Sequence, residues 1–394
     1  MIKKAFLLIF VLLPLLITSC VTYERDITVP RLTFSNKENV PLEDFPYRSL
    51  RIVALETNDE SLLREVREVR SYRSYLYVLD GGNELTVFSS EGRYVNRIGK
   101  RGNAAGEYTK WCAFFINEKE ESISIIDEIK NKIYSYDLTG NFLHSVDLGT
   151  SVQYCDHSLM TEEGNILLNY SINFGENIAY SILDGSNLRK NVRFLPYSPI
   201  TVNGYLYSFS MHPMCENSNG NIDFIMPLCD IIFEYSNKEY RPKYIVDIPG
   251  KMVDKKRFQT NVSDMGCSYS SMVFKYGNEG FFTGFTGIFE TGKHLLLKYM
   301  HNGFLSGFYL ADKESLEGNY YICTIPEVPV KIPLTDIVGT TDHEFIGVYN
   351  AEDIIALYHD MDRNNGKGEF NQLETVVQHI EEDSNPCLIF YALE

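Results

Sequence analysis

Two stretches, YLYVLDGGNELTVFSSEGRYVNRIG at 75–99 and SISIIDEIKNKIYSYDLTGNFLHSVDLG at 122–149, carry one rhythm. Each is a short β-like run ending in Asp, a turn, a run ending in an aromatic, a turn with Gly, and a third run. Asp80 aligns with Asp127, Phe88 with Tyr136, and Gly92 with Gly140, the glycines 48 residues apart. That period is the length expected of a four-stranded propeller blade. The conserved chemistry of the pattern has physical reasons. An Asp at a strand end hydrogen-bonds the amides of the turn that follows, and Gly permits the positive φ of a tight hairpin. Alternating apolar positions such as Ile123 and Ile125 turn one face toward each neighbouring sheet.

Working outward, weaker copies fall at 165–195, 221–248 and 280–310, and a last pair joins EFIGVYN (344–350) to PCLIFYALE (386–394). Between the members of that pair, Ile354, Ile355, Leu357 and Tyr358, then Leu373, Val376, Val377 and Ile380, are spaced as on helices, which predicts a two-helix insertion at about 350–384. A further insertion is expected near 251–268. Six units give an all-β, six-bladed β-propeller over 46–394. SLRIVALE (49–56) and LIFYAL (388–393) are expected to close the ring by sharing one blade. The 27 Tyr and 24 Phe against one Trp favour pleated surfaces over helix interiors. An open sandwich is the alternative, for which a 48-residue period is less expected.

The N-terminus reads as an export signal. Lys3 and Lys4 precede the apolar run AFLLIFVLLPLLI, and ITSC ends on Cys20. The run is too short for a comfortable membrane span. Residues 1–19 are expected to be a signal peptide. ITSC resembles the lipobox of bacterial lipoproteins, which implies cleavage before Cys20 and lipid attachment there, with 20–45 a spacer. The alternatives are an ordinary secretory signal or an N-terminal anchor helix. Acyl chains contribute about 0.8 kcal/mol per buried CH₂, enough in combination to tether a domain without a spanning helix. The full chain has a net charge of −17, and loss of Lys3 and Lys4 with the signal leaves −19. That balance excludes nucleic acid as an expected partner. Seven further cysteines are scattered without C-x-x-C or a His at ligand spacing, so neither a zinc site nor many disulfides are expected.

The loop IGKRGNAAGEYTKW (98–111) lies between the two best copies. Its order is strand, loop, strand, with no Gly-Lys-Ser/Thr opening a helix, so a phosphate cradle is not expected. Gly99, Gly102 and Gly106 read as the turns of an inter-blade joint, with Glu107 anchoring amides and Tyr108 covering the core edge. Lys100, Arg101, Glu107 and Tyr108 are also the candidate ligand loop, since inter-blade loops sit around the mouth of a propeller channel. Among eight histidines, none is paired at helical ligand spacing; His212, His294 and His301 are the candidates for the channel. DMDRNNGKGEF (360–370) lacks the Gly and Glu of a calcium loop at both diagnostic places. No metal, cofactor or catalytic residue is assigned.

The loop and second unit resemble the NHL-type propeller repeat through Gly99, Gly102, Gly106, Glu107 and Tyr108, then Asp127, Asn131, Lys132, Ile133, Tyr136, Asp137 and Gly140. The whole chain resembles the six-bladed, NHL/TolB-like propeller lipoproteins of Gram-negative anaerobes. It shares their lipobox, VALET at 53–57 and DSNPCLIFY at 383–391, but has Ala104 and Ala105 where they have Gly-Pro. The resemblance implies a lipid-anchored protein of the outer membrane, periplasmic or surface-facing. The expected function is to bind a small-molecule, carbohydrate or protein partner in the envelope. The alternatives are a propeller hydrolase or lyase acting on a carbohydrate or peptide, and a structural subunit of an envelope complex.

Overall fold

A computed structural model describes residues 29–34, 40–149, 151–170, 172–174, 178–188, 191–196, 201–202, 205–207, 212–226, 228–248, 250–254, 269–301, 305–322, 331–361 and 367–393. The signal segment, Cys20 and most of the insertion expected near 251–268 lie outside them. Among the described residues the chain is all-β, with three α-helices, and its sheets have a propeller-like arrangement. Four separate four-stranded antiparallel sheets occur, and a ten-stranded sheet contains two more meanders.

Meander I comprises Val66–Tyr72, Tyr75–Asp80, Leu85–Ser89 and Tyr94–Arg97. Meander II comprises Trp111–Asn117, Ser122–Asp127, Lys132–Asp137 and Phe142–Asp147. Meander III is Cys155–Met160, Ile166–Tyr170, Ile178–Leu183 and Asn191–Pro196. Meanders IV (Met214–Glu216, Ile222–Ile225, Ile231–Ser236, Glu239–Val246) and V (Phe285–Glu290, His294–His301, Leu305–Asp312, Glu317–Ile322) share the ten-stranded sheet. The link between them is Arg31–Phe34, which pairs in parallel with the outer strand of each.

The repeat read from the sequence has the physical basis expected of it. Asp80 Oδ1 accepts hydrogen bonds from the amides of Gly82 and Glu84, and its Oδ2 from Arg64 N. Asp127 does the same for Ile129, Lys130 and Thr109. Each buried Asp thus latches a hairpin turn to the loop that leads into its own meander. Gly92 and Gly140 hold φ of +84° and +100° in their hairpins. At Gly92 a Cβ would lie 2.2 Å from the Ala54 carbonyl oxygen, so no side chain fits.

One copy is out of phase. The stretches at 75–99, 165–195 and 221–248 hold the second to fourth strands of meanders I, III and IV, whereas 280–310 holds the first three of meander V. Apolar runs of similar length separated by turns mark strands without marking which of the four comes first.

The sixth sheet runs Asp336–Thr340, Glu344–Tyr349, Cys387–Ala392 and then Ser49–Ala54, its outer strand supplied from the N-terminal side. The pairing is antiparallel from Ser49↔Ala392 to Ala54↔Cys387. Asn385 locks it. Its Nδ2 donates to the carbonyls of Glu56 and Ser61, its Oδ1 accepts from Leu63 N, and its own amide donates to Thr57 Oγ1. Glu56 and Thr57 of VALET therefore dock on Asn385 of DSNP. Between the second and third strands of this sheet stand two helices, Ala351–Asp360 and Lys367–Val377. Their Ile354 and Leu373 are fully buried in one cluster with Leu50, Ile389 and Tyr391. The remaining helix, Tyr269–Asn278, precedes meander V and buries Met272, Val273 and Tyr276.

Removing the buried Asn385 side chain leaves the Ser61 carbonyl and the Leu63 amide without that partner. It also takes one of two donors from the Glu56 carbonyl, which Ser61 Oγ also reaches. Asn385→Ala is expected to lower unfolding stability by about 2–4 kcal/mol, more than an exposed Asn→Ala. Equilibrium unfolding measures it, and an unchanged midpoint would show that strand pairing alone closes the ring.

Candidate functional site

The first strands of the meanders face one lumen and touch in cyclic order. Arg70 Nη1 donates to Phe114 O, linking I to II, and Ser158 Oγ donates to the same carbonyl from III. Tyr180 of III donates to Ile225 O of IV. Lys298 of V pairs with Asp336 of the sixth sheet, and Gly339 of that sheet lies against the Val69 carbonyl of I. Five of these inner strands carry a register shift near their start, at Val66/Glu68, Trp111/Ala113, Cys155/His157, Phe285/Gly287 and Ile337/Gly339. Bulges of this kind re-aim side chains and are frequent beside functional sites.

His212 exploits one of them. It precedes the inner strand of IV and bridges in parallel to Gly287, with Ile288 N donating to His212 O at 2.9 Å. This seats the ring, 8 % exposed, in the lumen, where Nε2 lies 3.0 Å from the Arg67 carbonyl of meander I. Meanders I and IV, separated in the chain by II and III, are joined at this level. A carbonyl only accepts, so Nε2 carries the proton and Nδ1 of the neutral ring is a bare acceptor. Nδ1 is buried and has no hydrogen-bond partner among the described residues. An acceptor left in this state costs about 1–3 kcal/mol.

Around it a compact polar group converges. The His157 and His212 ring centroids are 6.2 Å apart, and Phe289 lies 4.8 Å from His212. His157 Nδ1 is 3.8 Å from Glu68 Oε2, and Glu68 Oε1 is 2.7 Å from Arg70 Nε. Arg70 also lies over the Phe114 ring at 4.1 Å. Burial, then the positive charges of Arg70 and Arg67, push His157 down to about 3. Burial likewise lowers His212, against the pull of Glu68. Both imidazoles are neutral at pH 7.

Beside this group a cavity of about 800 Å³ occupies the lumen. Its wall includes Glu68, Arg70 and His212, and its rim includes Glu216, the last residue of its inner strand, with Glu118 and Glu162 on the turns that follow theirs. Burial first, then repulsion from Glu118, raises Glu216 to about 7; Asp342 and Glu162 add to the rise and Arg70 opposes it. Among the described residues no group of three or more metal-type side chains comes together.

Of the residues singled out in the sequence, His212 alone lines this cavity. Lys100–Arg101 and Glu107–Tyr108 form a two-stranded parallel pair at the entrance to meander II, at the opposite end of its inner strand from the rim. Lys100 and Arg101 are exposed. Glu107 accepts from Ala104 N at 2.9 Å, and Tyr108 is buried beside Trp111 in the core between I and II. His294 pairs with Asp312 across meander V, away from the cavity, and the backbone of His301 pairs with Leu305 in the next hairpin. Cys20 lies outside the described residues.

Glu68, Arg70 and His157 were not singled out. The signal for the first two was VREVRSY (66–72), which carries Arg67, Glu68 and Arg70 in an inner strand where WCAFFIN carries no charge. His157 carried none, because its partners come from other meanders.

Below the ordinary histidine value the unfolded chain binds protons that His157 and His212 refuse, so these two make stability rise with pH between about 4 and 6.5. The raised Glu216 acts with the opposite sign, holding a proton in the fold that the unfolded chain has released. The comparison must therefore be between proteins. His157→Gln should remove up to about 1.4 kcal/mol per pH unit of the rising slope in that window. Thermal melts from pH 4 to 6.5 test it, and parallel curves would mean that His157 titrates normally.

The fold is shared with known structures. A Bacteroides fragilis protein described as exported superposes with a TM-score of 0.76 at 20 % identity, covering 92 % of this chain and 99 % of its own. A member of the DUF4221 family from Bacteroides vulgatus gives 0.52 at 9 % identity, covering 88 % and 96 %. At these identities the likeness is one of fold. Comparison with curated proteins finds no match. The model of the family described as domain of unknown function DUF4934 matches residues 25–392, nearly the whole length, and the chain belongs to that family.

Proposed function

We propose that the chain is an exported, lipid-anchored binding protein built on a six-bladed propeller, with its ligand in the lumen cavity. The observation that carries the reading is the cavity itself. It is lined by inner strands from around the ring, with Glu68, Arg70 and His212 in its wall. Six blades are supported by the count of four-stranded meanders and by the closing sheet shared between the two ends of the chain. Export is supported by the basic and apolar N-terminal run ending in Cys20, and by the description of the Bacteroides fragilis neighbour as exported. Among the described residues no helix is long and apolar enough to cross a membrane.

A hydrolase or lyase is the second reading, favoured by one specific observation. Glu68, Arg70, His157 and His212 converge in the lumen, and His212 is held unprotonated in one tautomer, the state from which a general base acts.

Two experiments test the leading reading. Cys20→Ala should move the protein from the membrane fraction to the soluble one; retention in membranes would overturn the lipid anchor. Purification from native membranes, with mass spectrometry of released small molecules, should recover a ligand that is lost from a Glu216→Gln, His212→Gln double variant. Retention of the same ligand by that variant would remove the cavity from the proposal.

A further inference from the structure

Among the described residues five large apolar side chains stand well exposed, and three of them, Leu62, Ile129 and Tyr154, lie at the end of the ring opposite the cavity rim. Leu62 and Tyr154 precede the inner strands of meanders I and III. Ile129 lies in the turn between the second and third strands of II, beside Trp111 at the start of its inner strand. The other two, Phe142 and Leu143, open the outer strand of II, with Phe142 against Gly106. Glu128 ties Tyr154 to the Ile129 turn: its Oε2 accepts from Tyr154 N at 3.0 Å, and its Oε1 pairs with Lys110. Tyr154 takes a φ of +63°, which a bulky residue adopts only where its surroundings impose it. On the other side of Ile129, Lys130 Nζ donates to the carbonyls of Gly102 and Glu107, so the joint loop adjoins the same turn. That loop exposes Lys100 and Arg101. Lys100, Arg101 and Lys130 make no salt bridge among the described residues, in a chain whose net charge is −17.

The N-terminal strand joins the body beside the matching turn of another meander. Arg31 pairs in register with Ile245, and its Nη1 donates to Asp247 Oδ1 at 2.6 Å. Val246 N donates to Asp230 O, in the turn of meander IV that corresponds to the one carrying Ile129 in II. Cys20 stands nine residues before Val29, so an acyl group on it is held within about 32 Å of chain from the body. Resting on the reading of Cys20 as a lipid anchor, we infer that this end of the ring is a membrane-docking face. Ile129 and Tyr154 enter the interfacial layer of the anchoring bilayer, and Lys100 and Arg101 meet its lipid phosphates. Apolar side chains flanked by cations are what holds a surface-bound segment in that layer, and a Tyr with a wet hydroxyl suits it. A patch this small binds weakly by itself. The tether makes docking intramolecular, and the effective concentration it sets turns a weak contact into a lasting one. The cavity rim, at the other end, then faces away from the bilayer and takes its ligand from the aqueous side.

The test places the acylated full chain in vesicles of phosphatidylethanolamine and phosphatidylglycerol, with and without bromine on the lipid acyl chains. Trp111, the single tryptophan, is 4 % exposed and supplies the background emission. The emission added by Ile129→Trp should be quenched at least about twofold by the brominated lipid. Lys119→Trp, at an exposed position on the rim turn, should be quenched no more than wild type. Adding Lys100→Glu and Arg101→Glu to Ile129→Trp should relieve the quenching while the chain stays on the vesicles through its acyl group. All three substituted positions are exposed, and thermal melts matching wild type check that the variants are folded. Equal quenching at 129 and 119, quenching at 119 alone, or quenching at 129 indifferent to the charge reversals would overturn the inference. So would unquenched emission at 129 in a chain whose N-terminal mass shows acylation, and the anchor would then stand without the docking face. A Cys20 that carries no acyl chain would remove the anchor reading, and this inference with it.

Discussion

A ring of sheets holds only if its two ends are joined, and here the join is a single antiparallel pairing between Ser49–Ala54 and Cys387–Ala392. Every other contact between neighbouring sheets presupposes it, because an opened ring would expose the apolar faces of the first and last sheets. The pairing is reinforced at its end by Asn385, whose side chain ties Glu56, Ser61 and Leu63 together. The N-terminal strand Arg31–Phe34 adds a second tie on the outside, joining the outer edges of meanders IV and V. Two edges that would otherwise offer unpaired backbone to another chain are covered by the same short segment.

Closure also decides what happens at the centre. The inner strands are brought close enough for a side chain from one meander to reach the backbone of another, and His212 does so. Its ring, the histidine beside it and the Glu68–Arg70 pair lie where water is scarce, so their charges and hydrogen bonds weigh more than at the surface. Arg70 is fully engaged, by carboxylate, carbonyl and aromatic ring. His212 is satisfied on one nitrogen only.

The architecture was legible because propeller repeats are local. Asp80 and Asp127 bond amides within a few residues and in the preceding loop, and Gly92 and Gly140 answer to their own hairpins. VALET and DSNP were visible as motifs, but that they dock on each other was not, since more than 300 residues separate them. The loop at 98–111 read as a joint through its glycines, and its geometry is that of a joint: Tyr108 packs into the core and Glu107 holds a turn amide. Its basic residues stand at the far end from the cavity rim, which no local pattern could have indicated.

By itself the sequence determined the strand rhythm, the positions that require Gly or Asp, the two helices near the C-terminus and the pairing of the chain ends. Each of these depends on neighbours in the chain or on strong apolar patterning. Only the tertiary structure decided the site. Glu68, His157 and His212 lie in separate meanders, and the bulges that aim them and the carbonyl that sets the His212 tautomer exist only once the ring is closed. A side chain's protonation and its missing partner are properties of its surroundings, and those surroundings are assembled from segments far apart in the chain.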